Sequence, residues 1–506
     1  MNETRSLGLA GTLTRTFIGS PLTPLMLLAA LILGVLALFV LPREEEPQIS
    51  VPMVDIMVRA DGLNAEDAVK LVTEPLETIV KSIPDVEHVY SQTGDDATMV
   101  TARFEVGTSS DAAILRVHEK IRANMDRIPT GVPEPLIVGR GIDDVAIFVL
   151  TLSPRAEDAD RWTAADLTRV AREVQVSISA LEDVGLTYIV GESPAEIRII
   201  PDPERLASAG LTLQALTARV EAANSAFQLG TVRQDGRQIG LTVGETLDDL
   251  ATIGNILVGT RDGRAVYVRD VATIELATDT TEARVATLAR QNGGFDRTPA
   301  ISLAIAKRSG ANAVTIAEEI RHEAERLEGN VIPEGLNVAI TRDYGESANE
   351  KANELLYHLG LATLSIVALV WVAIGWREAL VVAIVIPVTI LMTLFSAYIM
   401  GYTLNRVSLF ALIFSLGILV DDAIVVIENI ARHWGMHDGR SRAKAAIDAV
   451  SEVGNPTIVA TLTVVVALLP MMFVSGMMGP YMSPIPANAS AAMIFSFFVA
   501  VIITPW

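Results

Sequence analysis

The sequence predicts an α-helical polytopic membrane protein with six spans and a large α+β domain on its outer side. Half of its 506 residues are hydrophobic, and the mean hydropathy is +0.41. The apolar residues are concentrated in one run near the N-terminus and in several runs after residue 350. The polar segment between them, residues 42–354, carries 31 Lys and Arg against 52 Asp and Glu.

The apolar run 21–41 predicts the first transmembrane helix, because about 20 apolar residues span a bilayer. Residues 1–20, which include Arg5 and Arg15, are then expected to form a cytoplasmic N-terminus. The alternative is a cleaved signal peptide. The run is longer than a signal-peptide core, and no small-residue cleavage site follows it.

Residues 42–350 alternate between strand and helix patterns. The first unit has strands at 51–60, 86–94 and 97–106, helices at 65–83 and 110–128, and a closing strand near 135–139. Asn64 and Ser110 are expected to act as N-caps. A second unit begins at 145–153, and a third strand–helix–strand pattern covers 300–343. Repeated βαβ units predict ferredoxin-like subdomains, and the Gly-, Asp- and Thr-rich segment at about 225–295 predicts an insertion.

Five further spans are predicted at 355–376, 379–400, 407–429, 456–474 and 487–505, with a cytoplasmic loop at 430–454. Lys and Arg in short loops mark the cytoplasmic side. With six spans, all such residues fall on one side: Arg5, Arg15, Arg377, Arg432, Arg440, Arg442 and Lys444. The large acidic domain is therefore expected to face the periplasm or its equivalent.

Composition excludes several kinds of function. The chain has no cysteine, so it can form neither disulfides nor thiolate metal sites. Its net charge of −21 argues against nucleic-acid binding, which needs a basic face.

Asp421 and Asp422 stand side by side in the fourth predicted span. Each Asp in the middle of a transmembrane helix costs roughly 2.5–3.5 kcal/mol, so such residues usually have a function. Two carboxylates in a low dielectric cannot both stay charged without a cation. None of the predicted spans has a Lys or Arg near its middle. Protons, or a cation from another segment, must therefore compensate the pair.

Gly417 lies four residues before Asp421, on the same helix face, where it would let another helix approach closely. The pair thus predicts a proton relay at a helix–helix contact. Hydrated carboxylates at the cytoplasmic rim are the alternative, but the apolar AIVVI that follows them argues against it.

The stretch GILVDDAIVVIEN, residues 417–429, resembles the fourth-helix signature of the resistance-nodulation-division (RND) efflux permeases. Its double Asp is similar to the exporters of hydrophobic and amphiphilic compounds, whereas heavy-metal exporters usually carry only the first Asp. The resemblance covers the whole chain, which is similar to the N-terminal half of such a permease.

This resemblance implies a secondary active transporter and not an enzyme, with no cofactor. It would be a drug:proton antiporter in the inner membrane of a Gram-negative bacterium. Family members are homotrimers that work with a periplasmic adaptor and an outer-membrane channel. Residues 42–350 would hold the porter subdomains and a docking-type insertion. Asp421 and Asp422 match the family's proton-relay pair. The compensating Lys of the family comes from the tenth span, so a C-terminal half is expected as a partner. We expect a truncated chain, with a natural split gene as the alternative.

Substrate residues are harder to assign. Multidrug members of the family line a deep pocket with aromatic side chains. Phe148 and Tyr188 are the aromatic residues in the matching strands here, so they are candidates for a substrate pocket.

Two alternatives remain open at this point. Met471, Met472, Met477, Met478 and Met482 cluster near the fifth span, and thioethers suit Cu(I), so a heavy-metal exporter is one alternative. Methionine is also an ordinary filler of apolar helices. The other alternative is an accessory half-subunit of protein translocation.

Overall fold

The computed structural model describes residues 7–47, 49–129, 131–234, 237–244, 246–278, 284–291, 294–436 and 439–506. Within these ranges, six helices are long and apolar enough to cross a membrane, one before a strand-rich domain and five after it. This arrangement confirms the predicted fold class.

Two helices precede the strand-rich domain: α1, Gly8–Phe17, and α2, Leu22–Val40. Helix α2 is the first span and is apolar on all sides. The sequence reasoning did not predict α1. Its small residues Ala10 and Gly11 contact Gly454 and Ser451 of a later helix, which allows the two helices to pack closely.

The first subdomain is a four-stranded antiparallel sheet covered by helices on one face. Its elements are β1 Met53–Arg59, α3 Ala65–Ala68, α4 Glu74–Lys81, β2 Val86–Gly94, β3 Ala97–Phe104, α5 Ser110–Arg122 and β4 Leu136–Arg140. A π-helical turn joins α3 to α4. The strand order is β2-β3-β1-β4, which is the ferredoxin-like arrangement.

The predicted helix caps of this subdomain fared differently. The side chain of Asn64 accepts a hydrogen bond from the Asp67 amide, so this N-cap is confirmed. The prediction for Ser110 was wrong by one residue, because Ser109 precedes the helix and makes no side-chain cap. Two consecutive serines offered the same sequence signal.

The second subdomain begins with β5 Phe148–Pro154, α6 Ala164–Ser179 and β6 Val184–Val190. The chain then leaves this sheet for an inserted unit. Its elements are β7 Ala195–Pro201, α7 Pro203–Ala209, α8 Leu213–Ala223, β8 Phe227–Gln234, β9 Arg237–Val243, α9 Leu250–Gly254, β10 Leu257–Arg261, β11 Arg264–Tyr267, α10 Val268–Val271 and β12 Ala272–Thr278.

The inserted unit begins earlier than the expected position near residue 225. Strand β7 pairs with β12 outside the main sheet, so the insertion already includes Ala195–Pro201. Composition marked only the exposed hairpin of β8 and β9, because β7 and β12 have the apolar pattern of any strand. A small core of its own includes Leu206, Leu216 and Val268.

The chain then returns to complete the second sheet with β13 Val285–Gln291, β14 Gly294–Lys307, α11 Ala313–Leu327 and β15 Leu336–Asp343. Strand β14 pairs with β5 on one side and with β13 and β6 on the other, and β15 pairs with β5. The order β6-β14-β5-β15 repeats that of the first sheet. The second and third sequence patterns therefore form one ferredoxin-like subdomain, split by the insertion.

The remaining membrane helices are α12 Tyr344–Ala373, α13 Trp376–Ile399, α14 Arg406–Gly435, α15 Arg442–Leu468, α16 Met478–Met482 and α17 Pro484–Phe498. Their ends extend beyond the apolar runs of the sequence. Helix α12, for instance, starts 11 residues before 355, because Asp343 caps it directly after β15. Helix α14 packs against α12, α13, α15 and α17, and so occupies the centre of the bundle.

Candidate functional site

The two carboxylates lie in the middle of α14. Asp421 is 15 residues from Arg406 and 14 from Gly435, which places it about 22 Å and 21 Å from the helix ends at 1.5 Å per residue. The helix continues beyond Asn429, so the pair is more central in α14 than in the predicted span. Asp421 is exposed, whereas Asp422 is partly buried between α14 and its neighbours.

Asp422 faces side-chain hydroxyls on two other helices. The Thr461 hydroxyl of α15 lies 3.4 Å from both carboxylate oxygens of Asp422. That hydroxyl donates its proton to the Thr457 carbonyl at 2.9 Å, and the Ser496 hydroxyl of α17 donates to the Leu419 carbonyl. Since a hydroxyl has one proton to donate, neither is a firm partner for the carboxylate.

Neither carboxylate forms an ion pair with a Lys, Arg or His in the part of the chain that the structure describes. Arg406 and Arg432 of α14 pair instead with Glu46 and Glu452, near the two ends of the helix. The pair therefore lacks compensating charge here. An uncompensated carboxylate in a low dielectric is neutralised by a proton or by a cation brought close to it.

Asp421 belongs to a continuous exposed stripe, which we call the open face of α14. Its members recur every three or four residues, as one side of a helix does. They are Phe410, Phe414, Gly417, Asp421, Val425 and Glu428. A Cβ built on Gly417 has no atom within 4 Å in the described ranges. The close helix contact predicted at Gly417 is therefore not made by any described helix of this chain.

Phe148 and Tyr188 do not form one pocket. In the sheet register, Phe148 pairs with Ile305, whereas Tyr188 pairs with the next residue, Ala304. Successive residues of a strand point to opposite faces, so the two rings lie on opposite sides of the sheet. Phe148 is fully buried under α6 and α11, and Tyr188 is 40% exposed on the other face. Sequence position alone could not show which face each aromatic residue occupies.

The sequence reasoning missed Thr461 and Ser496. Their signal was present but weak, since single hydroxyls are common in membrane helices, where they bond to their own backbone. Thr457 and Thr461 are four residues apart and therefore lie on one face of α15, the face that meets α14. Pairing that spacing with the double Asp could have identified them.

Comparison with known proteins gives a consistent result. Residues 13–506 match the AcrB/AcrD/AcrF family. The multidrug resistance protein MdtC of Pantoea ananatis (strain AJ13355) is 28% identical over 494 residues, which is 97% of this chain and 46% of that protein. MdtC of Edwardsiella ictaluri (strain 93-146) is 28% identical and MdtC of Escherichia coli O81 (strain ED1a) 27% identical, each over 493 residues with the same shares. The chain spans about half the length of the curated relatives it matches.

Proposed function

Because the chain belongs to the AcrB/AcrD/AcrF family of RND efflux transporters, we propose that it couples proton movement to the export of amphiphilic compounds. It is a multi-pass inner-membrane protein with a large extramembrane domain. That domain faces the periplasm in our proposal, because the short basic loops lie on the opposite side of the membrane. The relatives are named multidrug resistance proteins, which supports organic compounds as the substrates.

The observation that carries the proposal is the uncompensated pair Asp421 and Asp422 in the middle of the central helix α14. Protons entering from the periplasm neutralise the pair, and release to the cytoplasm charges it again. Each charge that crosses the membrane field yields roughly 2.3 kcal/mol per 100 mV. The central position of α14 lets a change at the pair reach four neighbouring helices.

The open face of α14 is the place where the missing compensation enters. We propose that another helix of the permease packs there and brings a cation close to Asp421. Gly417 leaves room for that helix, and Phe410 and Phe414 offer it apolar contacts. In the RND resemblance this helix belongs to the C-terminal half.

Substrate would bind on the extramembrane domain. Leu186, Tyr188 and Val190 alternate along β6, so their side chains share one face of the sheet. All three are more than a third exposed. This apolar strip with one phenol suits amphiphilic compounds. We propose it in place of the Phe148–Tyr188 pocket. Export would then proceed outward through a homotrimer, with a periplasmic adaptor and an outer-membrane channel.

The test is Asp421→Asn in the whole permease, with export driven by an imposed proton gradient. We expect export to be abolished, because the amide cannot cycle between neutral and charged forms. Glu428→Gln is the matched control, since Glu428 is an exposed carboxylate on the same open face but close to the helix end. Gradient-dependent export at the native rate by Asp421→Asn would refute the proton-relay assignment.

The structure offers little support for a heavy-metal exporter. Met478 and Met482 line an apolar groove of about 400 Å³ together with Phe410 and Arg406. A guanidinium at that groove repels a metal cation. The translocation alternative gains no support from any described feature.

A further inference from the structure

Residues 43–46, which we call the linker segment, join the first span to the extramembrane domain and contact three other parts of the molecule. Arg43 donates to the Asn349 side chain of α12 at 2.8 Å and forms a β-bridge with Leu404. Glu46 forms an ion pair with Arg406, the first residue of α14. The segment therefore connects the start of the helix that carries Asp421 and Asp422 with the rest of the fold.

Backbone hydrogen bonds fix the linker segment to the loop that leads into α14. The Leu404 amide donates to the Pro42 carbonyl at 2.9 Å, and the Glu44 amide donates to the Leu404 carbonyl at 3.1 Å. The Arg406 amide donates to the Glu45 carbonyl at 3.3 Å. A movement of the outer end of α14 must therefore move this segment or break these bonds.

Glu44 extends the connection to the second sheet. One carboxylate oxygen lies 3.0 Å from the ammonium of Lys307, and the other accepts a hydrogen bond from the Thr403 hydroxyl at 3.0 Å. The Glu44 side chain is 6% exposed and the Lys307 side chain 3%. Lys307 is the last residue of β14, the central strand that pairs with β5, β6 and β13. One carboxylate thus joins the loop before α14 to the middle of that sheet.

The burial of this ion pair matters for movement. A buried charge that loses its partner is strongly destabilised, so Glu44 and Lys307 must move together. Beside them lies a cavity of about 310 Å³, lined in part by Ile147, Lys307 and Tyr344. The pair therefore has room to shift as a unit without being exposed to bulk water.

We propose that the Glu44–Lys307 pair is the joint that transmits movement of α14 to the second ferredoxin-like sheet. Glu44 acts here as a positioning residue, since it touches neither the relay carboxylates nor a substrate. Protonation of Asp421 and Asp422 shifts α14, the loop 403–406 pulls on Glu44, and Lys307 carries the displacement into β14. This inference rests on the proposed function, in which the relay pair drives the extramembrane domain.

Paired substitutions in the whole permease separate transmission from simple stabilisation. The apolar pair Glu44→Met with Lys307→Met removes both charges together, so it is expected to fold and insert normally. We expect its export per inserted molecule to fall about tenfold, since coupling energies between sites typically lie in that range. The reversed pair Glu44→Lys with Lys307→Glu keeps the attraction and a Thr403 contact, and is expected to restore most of the export. Native export by the apolar pair would overturn the proposal.

A second measurement does not depend on export. Asp421→Asn mimics the protonated relay, and hydrogen exchange of the amides in β14 is compared with and without it. We expect the substitution to alter this exchange in the native background and to leave it unchanged in the apolar pair. An equal change in both backgrounds would overturn the joint. A wild-type permease that showed no proton-driven export would count against the proposed function alone, because the exchange comparison would still test the joint.

Discussion

Asp421 and Asp422 are neighbours in sequence, yet they face different surroundings. Adjacent residues of an α-helix point about 100° apart. Asp422 therefore reaches the hydroxyls of Thr461 and Ser496, whereas Asp421 faces outward on the open face of α14. We infer that Asp421 meets the compensating cation of a docked helix, and that Asp422 exchanges protons within this chain's own bundle.

A different carboxylate controls a helix start in the extramembrane domain. Asp166 and Thr163 form a capping box at the N-terminus of α6. Hydrogen bonds from the side chain and backbone of Thr163 hold the pKa of Asp166 below its usual value of 3.8. The ionised form stabilises the fold, so this contribution is complete above the usual pKa and is lost as the pH falls through the lowered one.

We therefore expect Asp166→Asn to destabilise this subdomain by about 0.5 kcal/mol at pH 7, the usual effect of an exposed charge near a helix N-terminus. The difference from the native protein should shrink toward zero as the pH falls below about 3.8. Unfolding can be followed by the fluorescence of Trp162, which packs against the core of the second sheet, in a variant with no other tryptophan. Asp160→Asn, at an exposed position outside α6, is the charge control. A pH-independent difference would contradict this account.

At the scale of whole elements, local patterns predicted the strands and spans well, because apolar periodicity depends on neighbours in sequence. Strand β6 and helix α6, for example, lie within a few residues of their predicted positions. Pairing over long distances could not be predicted in this way. Strand β14 joins β5 across the inserted unit, and β7 leaves the sheet to pair with β12. The opposite orientations of Phe148 and Tyr188 depend on this register.

The site was predicted to a similar extent. An acidic pair in an apolar run is costly wherever it lies, so Asp421 and Asp422 could be recognised from sequence. Their hydroxyl neighbours lie on α15 and α17, and nothing in the sequence around α14 indicates which helices will meet it. The Glu44–Lys307 contact joins residues more than 250 positions apart for the same reason.

Two glycines of the membrane helices should respond in opposite ways to an added side chain. A Cβ on Gly34 of α2 would lie 2.3 Å from the Leu391 Cβ, so Gly34→Ala should destabilise the fold by about 1–3 kcal/mol through overpacking. A Cβ on Gly417 meets no described atom, so Gly417→Ala should stabilise α14 by about 1 kcal/mol through helix propensity. Thermal unfolding of the purified chain in detergent measures both effects.

The bulkier Gly417→Leu tests whether a helix docks on the open face. We expect it to leave insertion of the chain unchanged and to abolish export by the whole permease, since the docked helix could no longer approach closely. Val425→Leu, an exposed position on the same face, is the matched control for added apolar volume. Normal export by Gly417→Leu would mean that no helix packs closely there.

At the scale of the whole molecule, the extramembrane domain is attached to the membrane helices at two junctions. One is the linker segment, residues 43–46. The other is the direct passage from β15 to α12, in which Asp343 ends the strand and Tyr344 starts the helix. The Asp343 carboxylate accepts a bond from the Glu346 amide at 2.8 Å and pairs with Arg321 of α11. The Tyr344 amide donates to the Ile147 carbonyl at 2.9 Å, so sheet, helix and span are firmly connected.

A rigid junction of this kind can transmit a tilt of α12 to the second sheet, whereas a flexible one cannot. We therefore expect an insertion of Gly-Ser-Gly-Ser between Asp343 and Tyr344 to leave both parts folded and inserted, and to lower export by the whole permease about tenfold. The same insertion after Gly263, in the exposed turn between β10 and β11, is the matched control and should be tolerated. Export assays normalised to inserted protein compare the two. If both insertions export equally well, the junction serves only as a tether, and the linker segment with its Glu44–Lys307 pair must transmit the movement alone.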